Sequence, residues 1–160
     1  MFGRVQAAAV DGRQENVFWR QIELQKLYKG LTQKSASIQA AIVKDSATTR
    51  QEAKLEFVQA LLSVKRRHAE LQPDRERTEE YSIANGKDSP NARRPYGLVY
   101  IVPTTHTMFY SIVTAISAAI AAGNCCVVEV SALSNCCLTL SHADRYDYRS
   151  SRPRVSFLRY

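Results

Sequence analysis

The chain has 160 residues, 45% of them apolar, and carries 22 basic against 15 acidic side chains for a net charge of +7 at a mean hydropathy of −0.29. A chain of this length can bury about two-thirds of the surface that its unfolded form exposes, which excludes disorder throughout and fits one ordinary soluble domain or a piece of a larger one. The opening residues mix Arg4, Gln6, Asp11, Arg13 and Glu15 with a short alanine run, so no secretory signal is predicted. The most apolar window, residues 108–128, is interrupted by Ser111, Thr114, Ser117, Gly123 and Asn124 and reads as a buried helix followed by a strand, not as a membrane span.

From the N-terminus, Val17, Phe18, Leu24, Leu27, Tyr28 and Leu31 recur at three- and four-residue steps, predicting an amphipathic helix over residues 15–31. Ile38 and Ile42 lie one turn apart in a second, shorter helix over 35–45. Thr48 with Gln51, or Thr49 with Glu52, offers a capping box for a long helix over 49–71. Its apolar positions fall into two stripes, Leu55, Val58 and Leu62, then Phe57, Leu61, Val64, His68 and Leu71, and Pro73 ends or kinks it. Residues 72–95 hold dense charge, then Asn85-Gly86, Pro90 and Pro95. Because Asn-Gly favours a tight turn at positive φ, this stretch reads as a connector with a short antiparallel hairpin.

After Gly97 the run Leu98-Val99-Tyr100-Ile101-Val102 stops at Pro103, as a strand buried on both faces would. An Ala- and Ile-rich helix over 107–122 then ends at Gly123-Asn124, and residues 125–130 form a second apolar strand. Together they predict one right-handed βαβ unit. Beyond Ser131 the periodicity fades. The expected division is a partial domain over 1–140 and an irregular, poorly ordered basic tail over 141–160, whose five arginines and two aspartates carry +3 of the net charge.

Cysteines come as adjacent pairs, Cys125-Cys126 and Cys136-Cys137, which is neither zinc-knuckle spacing nor a secreted disulfide framework. They read as reduced thiols in a cytoplasmic protein, the first pair as small apolar core residues. His142 alone stands near the second pair, so no metal site is predicted. Lys65-Arg66-Arg67 and the tail arginines read as solvated charge, because nucleic-acid binding would need that charge gathered on one face with motif support. His68 reads as a packed core histidine, and His106 as a histidine of the loop that begins the following helix.

Two segments carry a family resemblance. Arg94-Pro-Tyr-Gly-Leu-Val-Tyr-Ile-Val-Pro103 and Ala118-Ala-Ile-Ala-Ala-Gly-Asn-Cys-Cys-Val-Val-Glu129 resemble the aldehyde dehydrogenase superfamily. There a Pro-x-Gly-Val-x-x-x-Ile-x-Pro-Trp-Asn strand leads through Ala-Ile-Ala-Ala-Gly-Asn to a Val-Val-x-Lys-Pro-Ser strand. The upstream helices fit as well, with Ala41-Ile42-Val43-Lys44-Asp45 closing the N-terminal pair. The resemblance spans roughly residues 14–135. It implies an α/β fold in which N-terminal helices precede one βαβ unit of an incomplete Rossmann-like cofactor domain. It also implies NAD- or NADP-dependent oxidation of aldehydes to carboxylic acids through a cysteine nucleophile and a glutamate-activated water.

The resemblance places cofactor contacts at Val102, Pro103, Thr104, Thr105 and Glu129. The family's Trp-Asn falls on Thr104 and Thr105, replacing an oxyanion-donating amide by a hydroxyl. Its ribose-binding lysine falls on Glu129, the Pro and Glu that follow fall on Val130 and Ala132, and only Ser131 is kept. The pyrophosphate turn, general base and nucleophile come later in the family's sequence than the pattern runs here, and the six glycines form no GxGxxG turn. The expectation is therefore a truncated, catalytically incompetent relative, with no catalytic residue assigned among the 160. The alternative is a non-catalytic module that packs on a full-length homologue or on a second copy, with no nucleic-acid or membrane partner. Such association would satisfy the strand edges that two parallel strands leave open.

Overall fold

The computed structural model describes residues 7, 9–88, 94–129 and 155–156, the last two as backbone. A single 3-10 turn, Arg13–Glu15, precedes helices α1 (Val17–Gln33), α2 (Ser35–Ser46), α3 (Arg50–Glu70) and α4 (Pro73–Ala84). Strand β1 (Leu98–Ile101), helix α5 (Met108–Ala121) and strand β2 (Cys125–Glu129) follow, and β3 (Val155–Ser156) completes the elements. The predicted strand–helix–strand unit is present. β1 and β2 pair in parallel with Leu98 opposite Cys125 and Ile101 opposite Val128. Val130, with which the sequence reading ended the second strand, lies outside the described residues, as do Ser131, Cys136, Cys137 and His142.

Helices α1 and α3 begin where a side chain answers their free amides. Asn16 accepts from the amides of Phe18 at 2.9 Å and Trp19 at 3.4 Å. Of the two capping boxes open in the sequence, Thr49 with Glu52 is the one formed: the Thr49 hydroxyl accepts from the Glu52 amide, and the Glu52 carboxylate accepts from the Thr49 amide at 2.8 Å. That backbone hydrogen bond, helped by the Thr49 hydroxyl, holds the Glu52 carboxyl below its usual range. The end of α5 is the predicted cap. Gly123 takes φ 77°, its amide donates to Ile120 and that of Asn124 to Ala119, the paired bonds of a Schellman turn.

One core unites α1, α2, α3, α5 and the β1–β2 pair. α5 lies between the sheet and the helices, which explains why it is apolar almost all round: Phe109, Ile112, Val113, Ile116 and Ile120 are each 1–2% exposed. Phe57 of α3 stacks on Phe109 with ring centroids 5.9 Å apart. Leu24, Leu27 and Leu31 of α1 and Ile38 and Ile42 of α2 join the same cluster, and Val99, Ile101, Cys126 and Val128 meet it from the sheet.

Four expectations are corrected. Residues 73–84 form a helix, not a hairpin arm. Pro73 supplies the first turn, where a missing amide costs nothing, Asp74 and Glu76 favour the helix N-terminus, and Arg75 pairs with Glu79 at 3.0 Å one turn on. Asn85-Gly86 closes this helix: Gly86 at φ 70° lets its amide reach Ile83 and the Lys87 amide reach Ser82. A left-handed glycine serves a helix end and a hairpin equally, and with no buried residue in α4 there was no apolar period to choose between them.

The first stripe read on α3 is not core. Leu55, Val58 and Leu62 point to solvent, while Phe57 and Val64 are buried, because the buried face also uses the small Ala53 and Ala60. Phe18 and Tyr28 of the α1 pattern are likewise exposed. His68 is half-buried, one turn beyond the covered part of that face. Finally, the edge of β2 is not bare. Part of the supposedly irregular tail, Val155–Ser156, pairs antiparallel with it, Ser156 opposite Val128 and Val155 opposite Glu129.

Candidate cofactor-side site

Parallel pairing sends the carboxyl ends of β1 and β2 out on the same side of the sheet, the side where open α/β sheets receive ligands. All five sequence-assigned positions, Val102, Pro103, Thr104, Thr105 and Glu129, therefore gather there. The start of the ladder is fixed from the opposite end. Asn124, which is buried, accepts from the Gly97 amide through its side-chain oxygen at 3.0 Å, and the Cys125 amide donates to the Gly97 carbonyl at 2.8 Å. Gly97 stands at φ 97°, a backbone region that a side chain would oppose.

At the open end Tyr100, Glu129 and Thr104 have internal partners. The Tyr100 hydroxyl donates to Glu129 Oε2 at 2.7 Å. Tyr100 lies opposite Val127, so Glu129 is its diagonal neighbour on the same sheet face, within reach of a long side chain. This bond to the carboxylate holds the phenol's pKa above its usual value, so Tyr100 stays a donor. The Thr104 hydroxyl donates to the His106 carbonyl at 2.7 Å. His106 is an exposed residue of the turn before α5, as expected. Cys126 is buried and its thiol is pushed up to about 12, by burial first and by Cys125 second; burial also raises Cys125. Neither provides a ready thiolate.

Two side chains that sequence reasoning passed over organise this end. Thr107 begins α5 at φ 49° without a capping bond of its own. In its place Glu56 of α3, buried and 54 positions earlier, accepts from the Tyr110 amide at 3.1 Å, setting negative charge at a helix N-terminus. At the other end of α5, the buried Arg20 of α1 donates to the Ala121 carbonyl at 2.9 Å, to the Glu15 carbonyl at 3.1 Å, and to the Glu76 carboxylate of α4. The signal was available in both cases: Glu56 sits between Ala53 and Phe57 on an apolar face, and Arg20 is four residues before Leu24 on another.

Removing the Glu56 carboxylate should therefore loosen the turn that carries Thr104 and Thr105. Glu56→Ala leaves a part-buried amide unanswered and is expected to cost about 1–2 kcal/mol. Glu56→Gln keeps an acceptor and should cost less than half of that. Thermal unfolding followed by circular dichroism checks the order; equal losses would mean that the contact is packing alone.

The sequence model of the aldehyde dehydrogenase family matches residues 6–143. The chain belongs to the aldehyde dehydrogenase family. No curated protein and no solved structure matches it. Family members are oxidoreductases that generally use NAD(P). Among the described residues, no cluster of three or more His, Cys, Asp or Glu side chains is arranged to hold a metal ion, and no helix is long and apolar enough to cross a membrane.

Proposed function

We propose that these residues form a non-catalytic member of the aldehyde dehydrogenase family, which does not hold NAD(P) by itself and works through association with another protein chain. The observation that carries this reading is the Tyr100–Glu129 hydrogen bond. Where the family pattern supplies a lysine to donate to the adenosine ribose, this chain has a carboxylate, an acceptor only, with one oxygen already engaged by Tyr100. Its charge opposes the 2′-phosphate of NADP directly. For NAD it offers acceptance where the pattern offers donation.

The neighbouring positions add to the same reading. The Thr104 hydroxyl is spent on the His106 carbonyl. Thr105 replaces the longer amide that would stabilise an oxyanion, a substitution of the kind that costs roughly a hundredfold or more in rate. Val102 and Pro103 match the family's sequence pattern but bring no charge. The residues present do not fit the family's cofactor, and no step of aldehyde oxidation is assigned to them.

Calorimetric titration of the folded chain with NAD and with NADP tests this. No binding is expected at micromolar to millimolar cofactor, and the Glu129→Lys, Thr105→Asn double variant should gain affinity for both. Micromolar binding by the unaltered chain would overturn the proposal.

A further inference from the structure

Of the asparagines in the chain, Asn85 alone precedes a glycine. An asparagine side chain and the backbone nitrogen that follows it can close a five-membered imide, and glycine opposes that approach least because it carries no side chain. Asn85 and Gly86 are both exposed, so water reaches the pair. Nothing lies within 4 Å of the place that a Gly86 β-carbon would take. Whether the two reacting groups meet is decided by the end of α4.

The folded helix keeps them apart. Asn85 Nδ2 donates to the Tyr81 carbonyl at 2.9 Å, which draws the side chain back along the helix. The Gly86 amide donates to the Ile83 carbonyl at 3.0 Å and the Lys87 amide to the Ser82 carbonyl at 2.9 Å, so the proton that the attacking nitrogen must lose is held in a hydrogen bond. Backbone torsion completes the separation. At ψ 15° the Gly86 nitrogen is nearly eclipsed with the nitrogen of Asn85 itself and is turned away from Cβ, whereas ring closure needs it on the Cβ side. The last turn must therefore unwind before the ring can form, and little holds that turn. α4 has no buried residue, Tyr81 and Ile83 are 67% and 41% exposed, and the ion pair with Arg20 is made by Glu76 in the first turn. Helix ends with few buried contacts open locally at low free energy.

We propose that Asn85 is a self-modifying site, at which the opening of α4 admits deamidation and deamidation then prevents α4 from closing. The Gly86 nitrogen forms a bond to Asn85 Cγ, the Cγ–Nδ2 bond breaks, and Nδ2 leaves as ammonia with the proton of the Gly86 amide. Water then opens the imide at either carbonyl, giving aspartate or isoaspartate, and nothing is oxidised or reduced. Neither product restores the cap. The carboxylate has acceptors only, so the bond to the Tyr81 carbonyl is lost, and its negative charge stands at a helix C-terminus, where it is unfavourable. Isoaspartate also lengthens the main chain by one methylene, which takes the amides of Gly86 and Lys87 out of register with Ile83 and Ser82. This chemistry needs neither cofactor nor partner, and so stands apart from the association reading above.

Peptide mapping by mass spectrometry tests it on the full chain, incubated at mildly alkaline pH both folded and in urea. In urea Asn85 should convert ahead of Asn16, Asn91, Asn124 and Asn135, with ammonia released in step. In the folded chain its conversion should be about tenfold slower or more, one decade for each ~1.4 kcal/mol by which closure of α4 is favoured. Glu76→Ala, which frees the helix from Arg20, should raise the folded rate severalfold while circular dichroism shows the other helices retained. Hydrogen exchange on the converted chain should show protection lost across residues 73–84 and kept in α3 and α5. Equal rates in the folded chain and in urea, no acceleration in Glu76→Ala, or a converted chain whose α4 keeps its protection would each overturn the proposal.

Discussion

Phe109→Ala should lower the stability of the folded chain by about 3–5 kcal/mol, the cost of emptying a large aromatic site in a close-packed core. Phe109 is 1% exposed and stacks on Phe57 across the α3–α5 contact, which adds about 0.5–1.5 kcal/mol beyond simple burial. The site has little room to collapse, because Phe109 is in the first turn of α5, where Glu56 fixes the Tyr110 amide and the sheet closes the other side. Against a total stability that for such domains is about 5–15 kcal/mol, this single change removes a large share. Urea unfolding should show a lower midpoint at an unchanged slope. A Phe57→Ala and Phe109→Ala double-mutant cycle should show coupling of about 0.5 kcal/mol or more. A loss below about 1 kcal/mol for Phe109→Ala would contradict a packed position, since core truncations of this size cost several times that.

The elements that sequence reading located are those whose apolar spacing is strong and local. Leu24, Leu27 and Leu31, and Ile38 and Ile42, repeat at a helix period and are found where the period puts them; the run from Leu98 does give a strand, but it is covered on one face only and not on both as expected, with Tyr100 53% and Val102 64% exposed. The Gly123-Asn124 stop was legible because a left-handed residue followed a long apolar helix. What periodicity cannot show is which of two apolar stripes is covered. α3 buries Phe57 and Val64 with Ala53 and Ala60, leaving Leu55, Val58 and Leu62 outside, a choice made by the volumes of partners in α1, α2 and α5 and not by hydrophobicity. α4 was missed for a related reason: its stability comes from capping, charge pairs and one ion pair to Arg20, none of which leaves an apolar period. At the candidate site the five positions came from the family resemblance, and the parallel strands bring them to one end of the sheet. The bonds that engage Glu129 and Thr104 were not legible, because they depend on a diagonal register and on a turn, each of which needs the folded chain.

Arg20→Ala should be the second large loss, about 3 kcal/mol, at the lower end of the range for breaking a buried ion pair. The guanidinium is 10% exposed at its side chain and serves three elements at once, through the Ala121 carbonyl at the end of α5, the Glu15 carbonyl beside α1, and Glu76 of α4. Glu76 is one-third exposed and regains water when its partner is removed, which moderates the cost. The carbonyl of Ala121 loses a cation at a helix C-terminus, where positive charge is favourable. Packing around this point leaves little slack, because a β-carbon added at Gly123 would come within 3.0 Å of the Gln14 carbonyl and 3.7 Å of Arg20 Cδ. The informative readout is local. α4 buries no residue of its own, so its attachment depends on Glu76 finding Arg20. Hydrogen exchange should show protection lost first across residues 73–84 in Arg20→Ala and in Glu76→Ala, while the amides of α3 and α5 keep theirs in the second variant. Uniform loss over all helices in Glu76→Ala would mean that α4 is integral to the core, whereas selective loss identifies the Arg20–Glu76 pair as the contact that holds this helix against the rest of the domain.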